Sequence, residues 1–174
     1  MGKQETHIGR YAQKRVLVDE VDSFRADGYK AMDPHVHTSA SNDVFPAPYL
    51  SPAALYEKMD KNGSDFITFT DHDTLNGYSL VQVEGLDKLV RGVEIKVKPS
   101  FIKGHPGKIP HTLHNNVYGL SQHQFEDLEG LARQHDFYGF LDYCRRNELP
   151  FAYNHPTWCE PHEFPDWTLL PDII

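Results

Sequence analysis

The sequence has few cysteines, no long apolar run and no excess of positive charge, and each lack excludes a class of protein. Its two cysteines, Cys144 and Cys159, are too few for a disulfide framework and lack zinc-finger spacing, so we expect both to be reduced. No apolar run approaches the roughly 20 residues that span a bilayer. The polar N-terminus, residues 1–15, lacks the apolar centre of a signal peptide. The expected location is therefore the cytoplasm, with no membrane partner.

The charge of the chain disfavours long nucleic acid as a partner. Lys and Arg number 17 and Asp and Glu number 25, which gives a net charge of −8 with histidine neutral. A surface that follows a phosphate backbone needs clustered basic residues, and no such cluster is present. A small phosphorylated substrate remains compatible with this charge, because bound cations reverse the local field.

Strand-like and helix-like segments alternate along most of the chain. Short apolar, β-rich segments predict strands at 29–37, 65–70, 88–94, 114–120 and 149–153. Ser51 before Pro52 predicts the start of one helix, Ser121 predicts the start of a second, and a third is predicted at Phe137–Arg146. The alternation is typical of parallel strands covered by helices. The segment 96–110, rich in glycine and proline, is predicted to be an insertion or a hairpin.

Histidine is frequent, with 11 in the chain, and its positions carry the main functional signal. On a strand, residues two apart face the same side, so His35 and His37 can reach one metal ion. A lone His-x-His more often belongs to a surface or a core. Asp33 lies on the same face and can orient a ligating imidazole.

Other metal-ligand candidates follow or flank the later predicted strands. Thr70-Asp71-His72-Asp73-Thr74 either presents His72 as a ligand or forms a turn in which Asp73 or Thr74 caps the next helix, and both can hold at once. Glu94 can bridge two cations, whereas His114 and His155, taken singly, are more often structural. His111 flanks the same strand as His114 and is the alternative to it.

Together these residues predict a multinuclear metal site. Imidazole and carboxylate donors suit Zn, Mn or Fe, and the lack of a nearby cysteine argues against a structural zinc site. In β/α barrels the active site lies at the C-terminal ends of the strands, where most of these residues are expected.

The motifs resemble, in the same order, those of the PHP (polymerase and histidinol phosphatase) superfamily. The matching segments are Asp33-Pro34-His35-Val36-His37-Thr38, Thr70-Asp71-His72-Asp73-Thr74, Gly92-Val93-Glu94-Ile95, His114 and Asn154-His155-Pro156. The resemblance extends from Tyr29 to about Pro156. It implies an α/β fold, a distorted (β/α)7 barrel, with two or three divalent metals at its mouth and hydrolysis of phosphate esters. It also implies an N-terminal extension at 1–28 and a PHP-like domain at 29–174.

The resemblance further implies a role for each ligand. His35 and His37 would hold the first metal, and Glu94 would bridge the first and second. His114 and His155 would complete the second. Two such metals would activate a water and hold the phosphoryl oxygens.

A third metal and a proton donor are less closely defined. His72 would help to hold the third metal together with an aspartate, but Asn42 stands at the family's aspartate position and Asp43 follows it. Either Asp43 serves after a one-residue shift, or the third site is weakened. Asp71, Asp73 or a water on the metal are the candidates for protonating the leaving group.

The family's late Asp-x-His motif is missing after His155. Glu160-Pro161-His162 follows too soon to be a separate strand and is predicted to be a loop. We therefore expect an incomplete barrel, completed by another polypeptide segment or by oligomerisation. The function expected is a phosphatase or phosphodiesterase acting on a small phosphorylated substrate. The alternatives are a nuclease that trims nucleic-acid ends and a non-catalytic metal-binding or interaction module.

Overall fold

The computed structural model describes residues 23–81, 87–101 and 111–155. The chain divides into two compact units, Met1–Ala31 and Met32–Ile174. In the first unit residues 23–26 are helical, and the ring of Phe24 meets that of Tyr29 edge-on. The sequence predictions for Cys159, for most of 96–110 and for the loop at 160–162 lie outside the described residues.

The second unit holds all the predicted metal ligands and has a mixed α/β architecture. Its elements, in chain order, are a 3-10 turn η1 (Pro48–Leu50), α1 (Pro52–Lys61), α2 (Asn76–Ser79), β1 (Gly92–Val97), β2 (Leu113–Tyr118), α3 (Gln122–Arg133), α4 (Phe137–Arg146) and β3 (Phe151–Asn154). Within the part of the chain that the structure describes, no helix has both the length and the apolar character needed to cross a membrane.

The helix starts predicted from serine are confirmed. The Ser51 hydroxyl accepts a hydrogen bond from the Ala54 N–H at 3.3 Å, with Pro52 in the first turn of α1. Ser121 forms a capping box at the start of α3: its hydroxyl accepts from the Gln124 N–H, and the Gln124 side chain accepts from the Ser121 N–H. Helix α4 has the predicted bounds. These caps satisfy backbone donors that a helix otherwise leaves unpaired.

The sheet differs from the prediction of parallel strands. Strands β1, β2 and β3 lie in that order, and both pairings are antiparallel. Two helices, α3 and α4, lie between β2 and β3, and β3 begins beside the end of β2, where the Tyr118 N–H donates to the Pro150 carbonyl at 2.9 Å. One helix between them would have favoured a parallel pair. A (β/α)7 barrel is not seen in the described ranges 23–81, 87–101 and 111–155.

Parallel pairing is found earlier in the chain. Isolated parallel bridges join Met32 to Phe66, Ile67 to Leu89, and His72 to Glu94. The predicted strands at 29–37 and 65–70 are thus extended segments tied by single bridges. The first bridge connects the segment that leads to His35 with the segment that leads to His72, and the last bridge connects His72 with Glu94 of β1.

The sheet has two unlike faces because successive side chains of a strand point to opposite sides. The core face consists of fully buried apolar side chains that pack with residues of α3 and α4, and its members are Val93, Ile95, Val97, Leu113 and Val117. The ligand face is polar and carries Glu94, Lys96, His114 and Asn116. The predicted site therefore lies on one side of a sheet whose other side is the hydrophobic core.

A second apolar cluster supports the segment that leads to His72. Ile67 and Phe69 are fully buried there and pack with Tyr56 and Met59 of α1. This packing fixes the position at which residues 70–73 leave the core.

Candidate metal centre

Glu94 is the centre of the site. It lies in the middle of β1 with its side chain fully buried, and both of its carboxylate oxygens face imidazoles. The Nε2 atoms of His35 and His37 each lie 2.9 Å from Oε2. The Nδ1 atom of His114 lies 2.8 Å from Oε1. The Glu94 carboxylate, in the middle of β1, thus contacts histidines from two other segments: the one that carries His35 and His37, and β2, which carries His114.

Two more imidazoles complete the arrangement. The Nδ1 atom of His72 is 3.7 Å from Glu94 Oε2, and the Nε2 atom of His155 is 3.8 Å from Oε1. We call the set of Glu94 with these five histidines the histidine cluster; its histidines are His35, His37, His72, His114 and His155. Neighbouring rings in it have centroids 4.7 to 5.8 Å apart.

Asp43 extends the histidine cluster towards solvent. Its Oδ2 lies 3.4 Å from His72 Nε2, and its Oδ1 lies 3.9 Å from His37 Nδ1. Asp43, rather than the exposed Asn42, therefore faces the cluster. Burial alone would raise the pKa of Asp43, but the hydrogen bond from Ser41 and the nearby His72 lower it overall.

Ser41 is a supporting residue that the sequence analysis missed. Its buried hydroxyl donates to Asp43 Oδ1 at 2.5 Å and accepts from the His72 N–H at 3.0 Å. Ser41 thereby fixes the distance between Asp43 and His72. Its place in a polar loop just after His37 was the only signal in the sequence.

The sheet direction explains why His114 and His155 meet. His114 stands near the start of β2, and His155 directly follows the end of β3. Because β2 and β3 are antiparallel, the start of one lies beside the end of the other, and His114 pairs with Asn154. His114 stands near the start of its strand as predicted, whereas Glu94, predicted to end its strand, lies in the middle of β1.

Asp71, predicted as a candidate proton donor, lies beneath the cluster. It is 1% exposed, and its carboxylate accepts from the Thr38 N–H at 2.6 Å and from the Thr38 hydroxyl at 2.8 Å. Burial raises the pKa of Asp71, and the two bonds from Thr38 oppose that rise. A Cβ on Gly77 would lie 2.5 Å from Asp71 Oδ2, so this close approach requires glycine. These contacts anchor the loop that follows His37.

Asp73, the other predicted proton donor, is turned towards β1. Its Oδ1 accepts from the Lys96 N–H at 3.0 Å, and its Oδ2 lies 3.3 Å from the Lys96 ammonium. Asp73 does not cap α2; instead the Thr74 hydroxyl accepts from the Asn76 N–H at 3.1 Å. The Asp73 N–H donates to the Glu94 carbonyl at 2.9 Å and so fixes the turn after His72.

Several other predicted roles are also placed by the structure. The carboxylate of Asp33 accepts from the backbone N–H of His35 at 3.2 Å, which orders the chain before the first ligand. His111 contacts the Tyr153 hydroxyl at 3.3 Å, whereas His114 joins the cluster. Cys144 is a buried free thiol in the core, as expected for a reduced cysteine.

The electrostatics of the cluster favour an ionised Glu94. Burial would raise the pKa of Glu94, but hydrogen bonds from His114, His37 and Asn154 outweigh it and hold the pKa well below its usual range. The hydrogen bond to Glu94 raises the pKa of His37. Burial lowers the pKa of His72, which favours its neutral, metal-ligating form.

The donor atoms fit divalent metal ions. Three groups have ligand atoms within 4.8 Å of one another: His35, His37 and Glu94; His72, Glu94 and His114; and His37, Asp43 and His72. Ligands bonded at about 2.0–2.2 Å to one ion lie about 3–3.5 Å apart, close to the separations around Glu94. Among the described residues His72 Nδ1 is also buried with no hydrogen-bond partner, as a nitrogen reserved for a cation would be.

Two solved structures are similar to part of the chain. A candidate metal-dependent phosphoesterase from Bifidobacterium adolescentis matches at 20% identity with a TM-score of 0.42, over 60% of this chain and 34% of that one. An amidohydrolase from Chromobacterium violaceum, with bound sulfate and no metal, matches at 20% identity with a TM-score of 0.41, over 66% and 36%. The match thus spans about a third of each protein's length. No protein-family model and no curated protein matches the chain.

Proposed function

We propose that the histidine cluster is a two- or three-metal site that hydrolyses phosphate esters of small molecules. The observation that carries this proposal is Glu94, a fully buried carboxylate that offers one oxygen to His35 and His37 and the other to His114. A carboxylate in this setting would offer one oxygen to each of two cations.

The proposed metal positions follow the three ligand groups, with His155, 3.8 Å from Glu94 Oε1, added to the second as the resemblance implies. His35, His37 and Glu94 would hold the first, and Glu94, His114 and His155 the second, with His72 at its edge. Asp43, His72 and His37 would hold a third. The all-nitrogen-and-oxygen donor set suits Zn, Mn or Fe.

Phosphate esters are the proposed substrates because of the motif order and the shared carboxylate. The resemblance to the PHP superfamily supports this chemistry, and paired metals that share a carboxylate are suited to displacement at phosphorus. Bound divalent cations would supply Lewis acidity to a phosphoryl oxygen and acidify a water. Lys96 adds a cation at the edge of the ligand face, next to His114 in the sheet register.

The chain's own residues set the geometry for this chemistry. Glu94 stays ionised, so both of its oxygens are available as ligands. Thr38 and Asp71 hold the loop that carries Asp43 on the side of the cluster nearest solvent. Asp71 is 1% exposed and hydrogen-bonded to Thr38, and Asp73 pairs with Lys96, so the proton for the leaving group would come from water.

The test combines metal content with a substrate panel. Protein purified without chelators or metal-affinity columns is analysed for bound elements, then assayed on a phosphomonoester, a phosphodiester and a single-stranded oligonucleotide. We expect about two or more equivalents of Zn, Mn or Fe and turnover of a small ester. His35→Ala should lose both metal and turnover, because it removes a ligand.

His123→Ala is the matched control. His123 is 83% exposed on α3, away from Glu94, so its removal should change neither metal content nor turnover. Metal without turnover of any ester would instead favour a non-catalytic metal-binding module. Cleavage of the oligonucleotide alone would favour a nuclease.

A further inference from the structure

Asn116 contacts the backbone or side chains of three ligand-bearing segments without being a ligand itself. It lies on the ligand face of β2, is 1% exposed, and pairs with Glu94 in the sheet register. A buried amide on this face has a full set of hydrogen-bonding atoms to satisfy. The hydrogen-bond partners of the Asn116 side chain therefore indicate its structural role.

The two ends of the Asn116 side chain reach the residues that precede two cluster histidines. Its Nδ2 donates to the carbonyl of Pro34 at 3.1 Å, and that carbonyl is in the peptide bond to His35. Its Oδ1 accepts from the Nδ2 of Asn154 at 2.8 Å, and Asn154 immediately precedes His155. One amide thus ties together the backbone before His35 and the side chain before His155.

The same bonds connect to Glu94. Asn154 is one of the groups that lower the pKa of Glu94 against the effect of burial, and both histidines converge on that carboxylate. Tyr118, two residues further along the same face, donates a second hydrogen bond to the Pro34 carbonyl at 2.7 Å. Asn116 is therefore the central member of a polar network beneath the cluster.

The other cluster histidines are held by different contacts. The loop after His37 is fixed by the bonds of Thr38 to Asp71, and the backbone of His72 is fixed by Ser41. His114 belongs to β2 itself. Loss of the Asn116 amide should consequently affect His35 and His155 more than the other three histidines.

We propose that Asn116 is a positioning residue that sets the placement of His35 and His155 about Glu94, and so the spacing of the first and second metal positions. This inference rests on the proposed metal site but concerns residues that are not ligands. Partners of this kind, which orient metal ligands, typically change metal affinity ten- to hundredfold when removed.

Asn115 provides the matched control. It is the adjacent residue of β2, equally buried, but it points to the core face, where its Nδ2 donates to the Leu113 carbonyl at 3.3 Å and its Oδ1 has no partner within the described part of the chain. Asn115→Leu and Asn116→Leu make the same chemical change on opposite faces of one strand.

The experiment uses two readouts on the full chain. The first is a Co²⁺ titration followed by visible absorbance, and the second is the ring ¹⁵N signals of the histidines in metal-free protein at one fixed pH. For Asn116→Leu we expect Co²⁺ affinity about 10- to 100-fold lower, with the largest shifts at the His35 and His155 rings and a smaller one at His37, which contacts His35. Asn115→Leu should change neither readout.

Asn116→Ala removes both hydrogen bonds without adding bulk or a buried charge, so it should shift the same two rings. It serves if Asn116→Leu does not fold. Wild-type affinity and unshifted rings in a folded Asn116 variant would overturn the assignment, as would equal shifts of all five rings. Wild-type protein that binds no Co²⁺ would overturn the proposed function, while the ring signals would still decide the role of Asn116.

Discussion

The two faces of the sheet use the same strands for different purposes. On the core face, apolar side chains such as Val93 and Leu113 are fully buried against α3 and α4, where size and shape decide the fit. On the ligand face, Glu94 and His114 are held by directional contacts of 2.8 to 2.9 Å. Alternate residues thus contribute stability and chemistry, and each contribution can be changed separately.

The largest expected effect is a loss of stability from a substitution that changes only the core packing. Phe140 of α4 is fully buried in the cluster that packs against the sheet, and Phe140→Ala should lower the free energy of unfolding by about 3–5 kcal/mol. Urea denaturation measures this loss. Below the transition, Co²⁺ affinity should equal that of the wild type. A parallel fall in affinity would mean that the two faces are not separable.

The second-largest expected effect is a loss of metal affinity from a substitution on the ligand face alone. Glu94→Gln removes the charge shared by the proposed metals, so we expect metal affinity to fall by about 100-fold or more. Zn²⁺ at 100 times its Kd stabilises a binding protein by about 2.7 kcal/mol, and this gain should vanish in the variant. Thermal unfolding with and without Zn²⁺ measures it. Glu126→Gln, on the exposed surface of α3, should retain the full gain.

A smaller loss of stability is expected when the contact between Asp71 and Thr38, in the loop after His37, is changed. Asp71→Asn keeps the size of the side chain but turns an amide donor towards Thr38, which should cost about 1–3 kcal/mol. Faster hydrogen exchange at the Thr38 amide would report the loosened loop. Gly77→Ala should act in the same direction, because its methyl group would crowd the Asp71 carboxylate. Unchanged exchange in both variants would contradict the anchoring role. Asp142→Asn, on the surface of α4, is the control.

The smallest change tests a helix end that touches neither face. Ser121→Ala removes the capping hydroxyl of α3 and should lower the free energy of unfolding by about 1 kcal/mol. Ser121→Thr, which keeps a hydroxyl, should recover most of it. Chemical denaturation measures both, and a change in metal affinity in either variant would argue that α3 is coupled to the site.

The helices were predictable because their signals are local. A serine followed by helix-forming residues predicts where α1 and α3 begin, and the structure confirms both N-caps. The direction of β2 and β3 was not predictable in the same way, since alternation alone does not count the helices between two strands. Two helices were predicted between these strands, and two helices are compatible with the antiparallel pairing that the structure shows.

The chemical types in the site were predictable, but their supports were not. His35, Glu94 and His155 stand in motifs with a recognisable order, and the structure brings them together around one carboxylate. Ser41 and Asn116 have no motif, because serine and asparagine serve many roles and only the fold shows which atoms they reach. Asp71 does stand in a motif, but the motif did not reveal that its carboxylate accepts hydrogen bonds from Thr38.

The contact between His35 and His155, whose rings are 5.2 Å apart, joins residues that are 120 positions apart in the chain (155 − 35). A contact this distant in sequence closes a long loop, and that closure costs conformational entropy. Local features such as the capped helices can form without it. If the cluster binds metal as proposed, its ligands come from both ends of this span, so metal binding would also stabilise the pairing of β3 with β2.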